Sequence, residues 1–369
     1  MKLSRSVNFG FALLLLLWSL GNGSDQSTIT LPLTSASPGQ ASSLGAKVVG
    51  DFDGDGKSEL GIDIGASGVW LWDAGAWTQL TALPSENLIA CDVDWDSVDE
   101  IVADMGVAGL WLWHGGAWTQ LSAENGESLA SGYIGVPRWF LPMNDSVIGG
   151  FGAFGLWLWR WSEISPFWTE LSDVGAESVV IANLDGIAAA ARIVGDFGAL
   201  GVWVWVQDTF WSIISGANAD SLISGKAQTD DYLLGDFGAD GLWVWESGYI
   251  WTELSGVNAD QVLTVNTDGD VEDEVVSDFG GLGLWLLDNG AWTQLSGVNA
   301  ESMIEMGTGI AADFGSLGLW IWNAGSWTLA SGADPVSMVA GNFDGGQLAV
   351  DFGSLGLWLW NGGSWSLIL

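Results

Sequence analysis

The chain has 369 residues, 45 Asp and Glu against 8 Lys and Arg, a single cysteine and a single histidine, and 27 tryptophans. A formal charge of −37 excludes partners that need a cationic surface, namely nucleic acid and anionic membrane. One cysteine excludes an intrachain disulfide, and the absence of any His or Cys cluster excludes a zinc centre.

The chain opens with Lys2 and Arg5, an apolar stretch from Phe11 to Leu17, and small residues at Gly21 and Gly23. That is the order of parts in a secretory signal peptide, here residues 1–23, and the stretch is too short to span a bilayer. Cys91 lies far from it, which gives no support to a lipid-anchored N-terminus. Removing the leader leaves 6 basic residues against 45 acidic ones, a charge of −39. A high-salt habitat and cation binding both explain such acidity. Residues 24–46 form a lead-in, in which Thr28 to Leu33 resembles a stray fourth strand that either closes the last unit or simply leads in.

From Lys47 onward one phrase recurs eight times: Gly68 to Trp72, Gly109 to Trp113, Gly155 to Trp159, Gly201 to Trp205, Gly241 to Trp245, Gly283 to Leu287, Gly318 to Trp322 and Gly356 to Trp360. The copies are spaced by 35 to 46 residues, which marks a repeat architecture. Each unit holds four short apolar runs separated by Gly- and Asp-rich turns. In the first they are Lys47 to Gly50, Leu60 to Ile64, Gly68 to Trp72 and Ala76 to Leu80. Such runs read as strands, and no window keeps a helical period. The third run is apolar at every position, so both of its faces are buried. Blades packed radially on two neighbours satisfy that demand. The expected fold is therefore all-β, an eight-bladed β-propeller of four-stranded antiparallel blades over residues 47–369, with an open array as the competing arrangement. Trp70, Trp111, Trp203, Trp243 and Trp358 are expected between blades. A second refrain, as in Ser255 to Asp260 and Ser296 to Glu301, supplies turn formers for the connections between blades.

Three turns carry oxygen ligands at positions 1, 3, 5 and 9: Asp51, Asp53, Asp55 and Glu59; Asp92, Asp94, Asp96 and Glu100; Asn266, Asp268, Asp270 and Glu274. Hard oxygen ligands crowded in a flexible turn suit Ca²⁺, although Asx-rich turns also serve as plain strand connections. Asn183 to Gly186 and Asn342 to Gly345 keep only the start of the pattern. Gly50 to Leu60 followed by Val69 to Trp72 resembles the FG-GAP or VCBS repeat, a family found in integrin α-chain propellers and many secreted bacterial proteins. The resemblance is specific in the first, second and sixth units. It implies a calcium loop between strands one and two, and its alternating third strand lacks the tryptophans seen here.

Eight further tryptophans stand in the fourth strands, including Trp77, Trp118, Trp251 and Trp292. An outermost strand is partly exposed, so these rings are candidates for stacking on sugar or anchoring a partner, with packing as the alternative. An Asp precedes the third strand in seven units, at Asp63, Asp104, Asp196, Asp236, Asp278, Asp313 and Asp351, where it can accept turn amides. The third unit has inserts, 132–144 and 160–167, that hold Trp139 and Trp161. It is the place to look for a private function.

Catalytic parts are scarce. One histidine and one cysteine give little from which to build a nucleophile–base pair, and a glycosidase dyad cannot be chosen among 45 acids. The functional expectation is a secreted, monomeric, calcium-stabilised module that binds glycan or an extracellular protein without turnover. A polysaccharide-active enzyme of the lyase type and a structural matrix protein are the alternatives.

Overall fold

The computed structural model describes residues 44–369 apart from 135–143, 162–165, 185–190, 207–209 and 247–249, together with Thr28–Ile29 and Thr34–Ser35. Eight antiparallel sheets follow one another along the chain, each built from four consecutive strands, and form an eight-bladed β-propeller. Blade 1 runs through Lys47–Gly50, Glu59–Asp63, Val69–Asp73 and Ala76–Thr81; blade 8 through Ser337–Ala340, Leu348–Asp351, Leu357–Trp360 and Trp365–Leu367. First strands pack on first strands of adjacent blades, and blade 8 meets blade 1. There Ser58 N–H donates to Asn342 O at 3.0 Å, and Leu60, Ile62, Phe343, Ala349 and Leu357 share one core.

Blade 8 closes the ring with its own strands, so the lead-in does not complete it. Thr28–Ile29 instead pairs with Thr119 and Trp118 as a fifth strand on blade 2, and Thr34–Ser35 pairs with Gln79 and Thr78 on blade 1. The reason is visible in the closing blade: Leu357 N–H already donates to Leu369 O, and the C-terminal strand fills the outer place.

The second strands are the best shielded. Leu60 and Ile62, Ile101 and Val102, Val147 and Ile148, and Ile310 and Ala311 are all buried. Third-strand burial is uneven. Trp70 and Trp111 are buried as expected, but Trp203, Trp243 and Trp358 are only half-buried. Blades 1 and 2 differ because the two extra strands lie along their outer edges. Each of these first tryptophans also caps its own turn, as where Trp203 Nε1 donates to Leu200 O at 2.7 Å. The turn itself is a short 3₁₀ segment leading to a glycine such as Gly68, whose φ of 76° and near contact with the Thr81 carbonyl leave no room for a side chain.

The fourth-strand tryptophans join the blades. In seven blades the outer strand carries a β-bulge opposite the start of the third strand, so that one residue has no ladder partner. That residue is Leu80 in blade 1, Leu121 in blade 2 and Ile214 in blade 4. Its spare carbonyl accepts the indole N–H of the next blade. Trp118 donates to Leu80 O at 3.0 Å, Trp168 to Leu121 O at 2.9 Å, Trp211 to Leu171 O at 2.7 Å and Trp251 to Ile214 O at 2.9 Å. Trp292, Trp327 and Trp365 repeat the bond to Leu254, Leu295 and Ala330. Trp77 completes the circle on Ile368 O at 2.8 Å. On their other sides these rings pair with third-strand residues such as Trp72, and in blades 3 to 8 they meet a Phe edge at centroid distances of 5.1 to 5.4 Å.

Replacing Trp118 by Phe keeps an aromatic ring and strands the buried Leu80 carbonyl, a loss of about 1–3 kcal/mol. The same change at the exposed Trp95 is expected to stay within about 0.5 kcal/mol. Urea unfolding of the two variants checks the difference.

Candidate functional site

Antiparallel blades put the first-to-second and third-to-fourth turns at one end, and the second-to-third turns and blade connections at the other. The second end is uniform. Every second-to-third segment has five residues. In blades 4, 5 and 6 the buried Asp that ends the second strand holds this turn to the connection; blade 3 has Gly150 at that place. Oδ1 accepts an amide two residues on, as for Asp236 from Gly238 N–H at 3.1 Å, and Oδ2 accepts from the connection, as from Ala259 N–H at 3.2 Å. Asp196 and Asp278 repeat both bonds. These three carboxylates serve the scaffold, all seven of the set are buried, and ligand atoms of Asp313 lie within 4.8 Å of those of Glu301 and Asp334. Burial raises the pKa of Asp104, Asp236 and Asp313 to about 6, against the lowering pull of the amides they accept.

The first end is variable. First-to-second segments run from two residues in blade 7 to eleven in blade 3. Here lie all three candidate calcium loops. In the first, Asp51 Oδ1 accepts Gly54 N–H at 2.7 Å and Oδ2 accepts Gly56 N–H at 2.8 Å. Asp55 accepts Lys57 N–H, and the buried Glu59 accepts Phe52 N–H at 2.6 Å. Ligand atoms of Asp51, Asp53, Asp55 and Glu59 lie within 4.8 Å of one another. Gly54 and Gly56 take φ of 79° and 82°, which allows the chain to wrap the carboxylates. Burial, with Asp53, Asp73 and Asp51 nearby, raises the Glu59 pKa to about 7 despite the Phe52 amide.

The second loop is built on the same bonds, with Asp92 accepting Trp95, Asp96 and Ser97 amides. Trp95 and Ser97 stand at φ of 64° and 71° where the first loop has glycine, a conformation costly for a bulky side chain. Its ligand set also differs. His114 Nδ1 lies 2.7 Å from Glu100 Oε1, and its Nε2 is 3.9 Å from Asp94 Oδ2. Asp94, Glu100 and His114 form one cluster, and Asp92, Asp94 and Asp96 another. Burial lowers the His114 pKa, but the Glu100 hydrogen bond and the charges of Glu100, Asp94 and Asp96 raise it overall.

The third loop brings Asp268 and Glu274 together with Asp288, and Asn266 Oδ1 accepts Gly269 N–H and Asp270 Oδ1 accepts Glu272 N–H, both at 2.7 Å, as Asp51 and Asp55 do for the corresponding amides of the first loop. Glu274 is held by both the amide and the hydroxyl of Thr267 at 2.6 Å.

Asp73, His114 and Asp288 stand outside the ligand pattern that spacing along the loops gives. All three occupy the last position of the third strand, which the antiparallel turn carries back beside the loop. The signal for them is a polar residue ending an otherwise apolar strand.

Of the sugar-stacking candidates, Trp77 and Trp118 are buried, and Trp251 and Trp292 are half-buried with their N–H groups committed to the neighbouring blade. Trp139 lies outside the described residues. Trp161 sits between His114 and Trp159, with ring centroids 6.0 Å from each. A cleft of about 370 Å³ opens at the same end between blades 5 and 6, lined by Lys226, Asp231, Tyr232, Glu246, Asp273 and Asn289. Lys226 pairs there with Asp231 at 3.3 Å. Among the described residues no helix is long and apolar enough to cross a membrane.

No known protein family matches this chain, and no curated protein matches it. The likeness is in structure. A crystal structure of BBS1N in complex with ARL6DN is similar over 83% of this chain and 98% of that one, with a TM-score of 0.50 and 7% identity. The computationally designed Ika8 protein is similar over 86% and 96%, with a TM-score of 0.50 and 13% identity. At these identities the likeness concerns the fold.

The buried Asp set has a consequence for stability. A carboxyl whose pKa is about 6 in the folded chain and near 4 in the unfolded one binds its proton more readily when folded. Stability then falls as pH rises between those values. In chelator, Tm is expected to be higher at pH 5 than at pH 7.5, and the difference to shrink in Asp236→Asn and Asp313→Asn. A calorimetric pH series checks it.

Proposed function

We propose that the chain is a secreted, calcium-stabilised propeller that acts by binding a glycan or an extracellular protein through its first-to-second loop end, as a monomer and without turnover. The observation that carries this reading is the unequal variation of the two ends. One end repeats to the residue, with five-residue turns in all eight blades; the other varies from two to eleven residues in the same positions. A rigid scaffold that varies its loops on one side is how recognition surfaces are made. The BBS1N likeness adds that a chain of this fold has been crystallised with a protein partner.

Calcium enters through the chemistry of the donors. The first loop offers four carboxylates within 4.8 Å, with Asp73 beside them, and this all-oxygen set fits a hard cation. Bound Ca²⁺ would offset their mutual repulsion, and Asp51, Asp53, Asp55 and Glu59 would hold it. The second loop fits less well, because His114 replaces an oxygen ligand at the strand end. The third offers Asp268, Glu274 and Asp288.

The leader-like N-terminus supports secretion, as does the resemblance of the first loop to FG-GAP repeats. Calcium is expected to raise Tm, by mass action on the folded state, with affinity of about 10⁻⁴ to 10⁻³ M. Asp53→Asn with Asp55→Asn should remove most of that gain and change little in chelator. A melting curve unmoved by chelator would end the calcium reading. For the ligand, a mixed-glycan array with and without calcium is the direct test. Retention on dense arrays and feeble binding of single soluble glycans are expected, because equivalent loops act through avidity. Sustained release of unsaturated oligosaccharides, lost in Arg160→Ala, would instead make this an enzyme.

A further inference from the structure

The chain adds a segment of itself to two of its eight outer strands. Thr28 and Ile29 pair with Thr119 and Trp118, and Thr34 and Ser35 with Gln79 and Thr78, antiparallel in both cases. The segment from Gln26 to Ala46 has no charged residue, on a chain of net charge −37. Its effect is visible in burial. Thr78, Gln79, Thr119 and Gln120 are half-buried, whereas the equivalent Thr169, Glu170, Thr252, Glu253, Thr293 and Gln294 are exposed.

The other six blades present the same edge without a fifth strand among the described residues. Open edges recruit strands unless guarded. Glu170 and Glu253 place charge on the edges of blades 3 and 5. Blades 4 and 6 also have uncharged outer strands, FWSIIS with Ile213 50% exposed and AWTQLS, but each adjoins the charged edge of blade 5; blades 7 and 8 adjoin only uncharged edges, as blade 1 does, and read SWTLAS over Ser326–Ser331 and WSL over Trp365–Leu367. Leu329 and Leu367 stand where blades 1 and 2 have glutamine, and they are 49% and 58% exposed. Each lies opposite a half-buried tryptophan, Trp320 or Trp358, whose indole donates to Leu317 O or Leu355 O. Leu317 and Leu355 are themselves 55% and 60% exposed. The result is an apolar strip on each of two neighbouring edges.

We propose that the outer edges of blades 7 and 8 are a docking site for an extended, uncharged segment of a partner protein, taken up as a fifth strand in the manner of Thr28–Ile29 on blade 2 and Thr34–Ser35 on blade 1. Backbone bonds to the open edge would provide affinity, and alternate side chains would rest on Leu329 and Trp320 or on Leu367 and Trp358. The body's negative charge disfavours an acidic segment, and the chain's own arm shows the composition that the edge accepts. The site lies on the rim, apart from the calcium loops, so it stands whether or not those bind metal.

The test uses the full chain and a fluorescent synthetic peptide with the sequence of residues 26–37. Saturable binding is expected, unchanged in chelator, and weakened at least tenfold by Leu329→Lys with Leu367→Lys. The matching pair Glu170→Gln and Glu253→Gln leaves the strip intact and should not weaken it. Melting curves of each variant confirm that the fold is kept. No peptide binding, or binding indifferent to the two lysines, overturns the proposal. Concentration-dependent self-association removed by the same lysines would assign the edges to a second copy and also overturn it.

Discussion

An indole N–H on one blade and a spare carbonyl on the blade before it hold this ring together, and each satisfies the other. The bulge in the outer strand takes one residue out of the ladder, which leaves a carbonyl facing the neighbouring blade. An unpaired buried carbonyl is costly, and tryptophan is a largely apolar side chain that fills space and also donates a hydrogen bond. The bond then repeats eight times, including the step from blade 8 to blade 1 through Trp77 and Ile368. Closure therefore needs no strand exchanged between the ends of the chain. The final blade is made from consecutive residues like the rest, and the N-terminal arm is free to lie elsewhere.

This division of labour explains why the tryptophan content says so little about ligands. Rings that look available at the level of the repeat are committed to neighbours, and their Phe contacts add to that commitment. The buried aspartates are used in the same way. They bond turn and connection amides at the uniform end, at the cost of a raised pKa. With both residue types assigned to the scaffold, what varies is the opposite end: loop length, the acids at its mouth, and single departures such as His114 in place of an aspartate.

The acidic clusters of the loops were legible in part. Spacing within one turn gives Asp51, Asp53, Asp55 and Glu59 correctly as neighbours, because every one belongs to the same short segment. Spacing cannot give Asp73, His114 or Asp288, which come back to the loop across a strand turn. The same limit applies to the lead-in. Thr28 to Leu33 has strand composition, and composition says that it pairs but not with which of eight nearly identical edges. The structure sets Thr28–Ile29 on blade 2 and Thr34–Ser35, just past that run, on blade 1, and Trp70, Trp77, Trp111 and Trp118 are buried there while their counterparts are half-buried.

Periodicity alone determined the number of blades and the four strands of each, but it overstated burial: the first tryptophan of the third strand is buried in blades 1 and 2 and half-buried in the other six. Tertiary structure alone decided which partner each repeated group meets. A tryptophan on a fourth strand reads identically whether it faces water or the next blade; the β-bulge and the radial packing settle it, because they bring a lone carbonyl within 2.7 to 3.2 Å of the indole. Sequence specifies groups and their period. The distances that turn those groups into a latch arise between blades, from residues some forty positions apart, and exist only once neighbouring blades have packed.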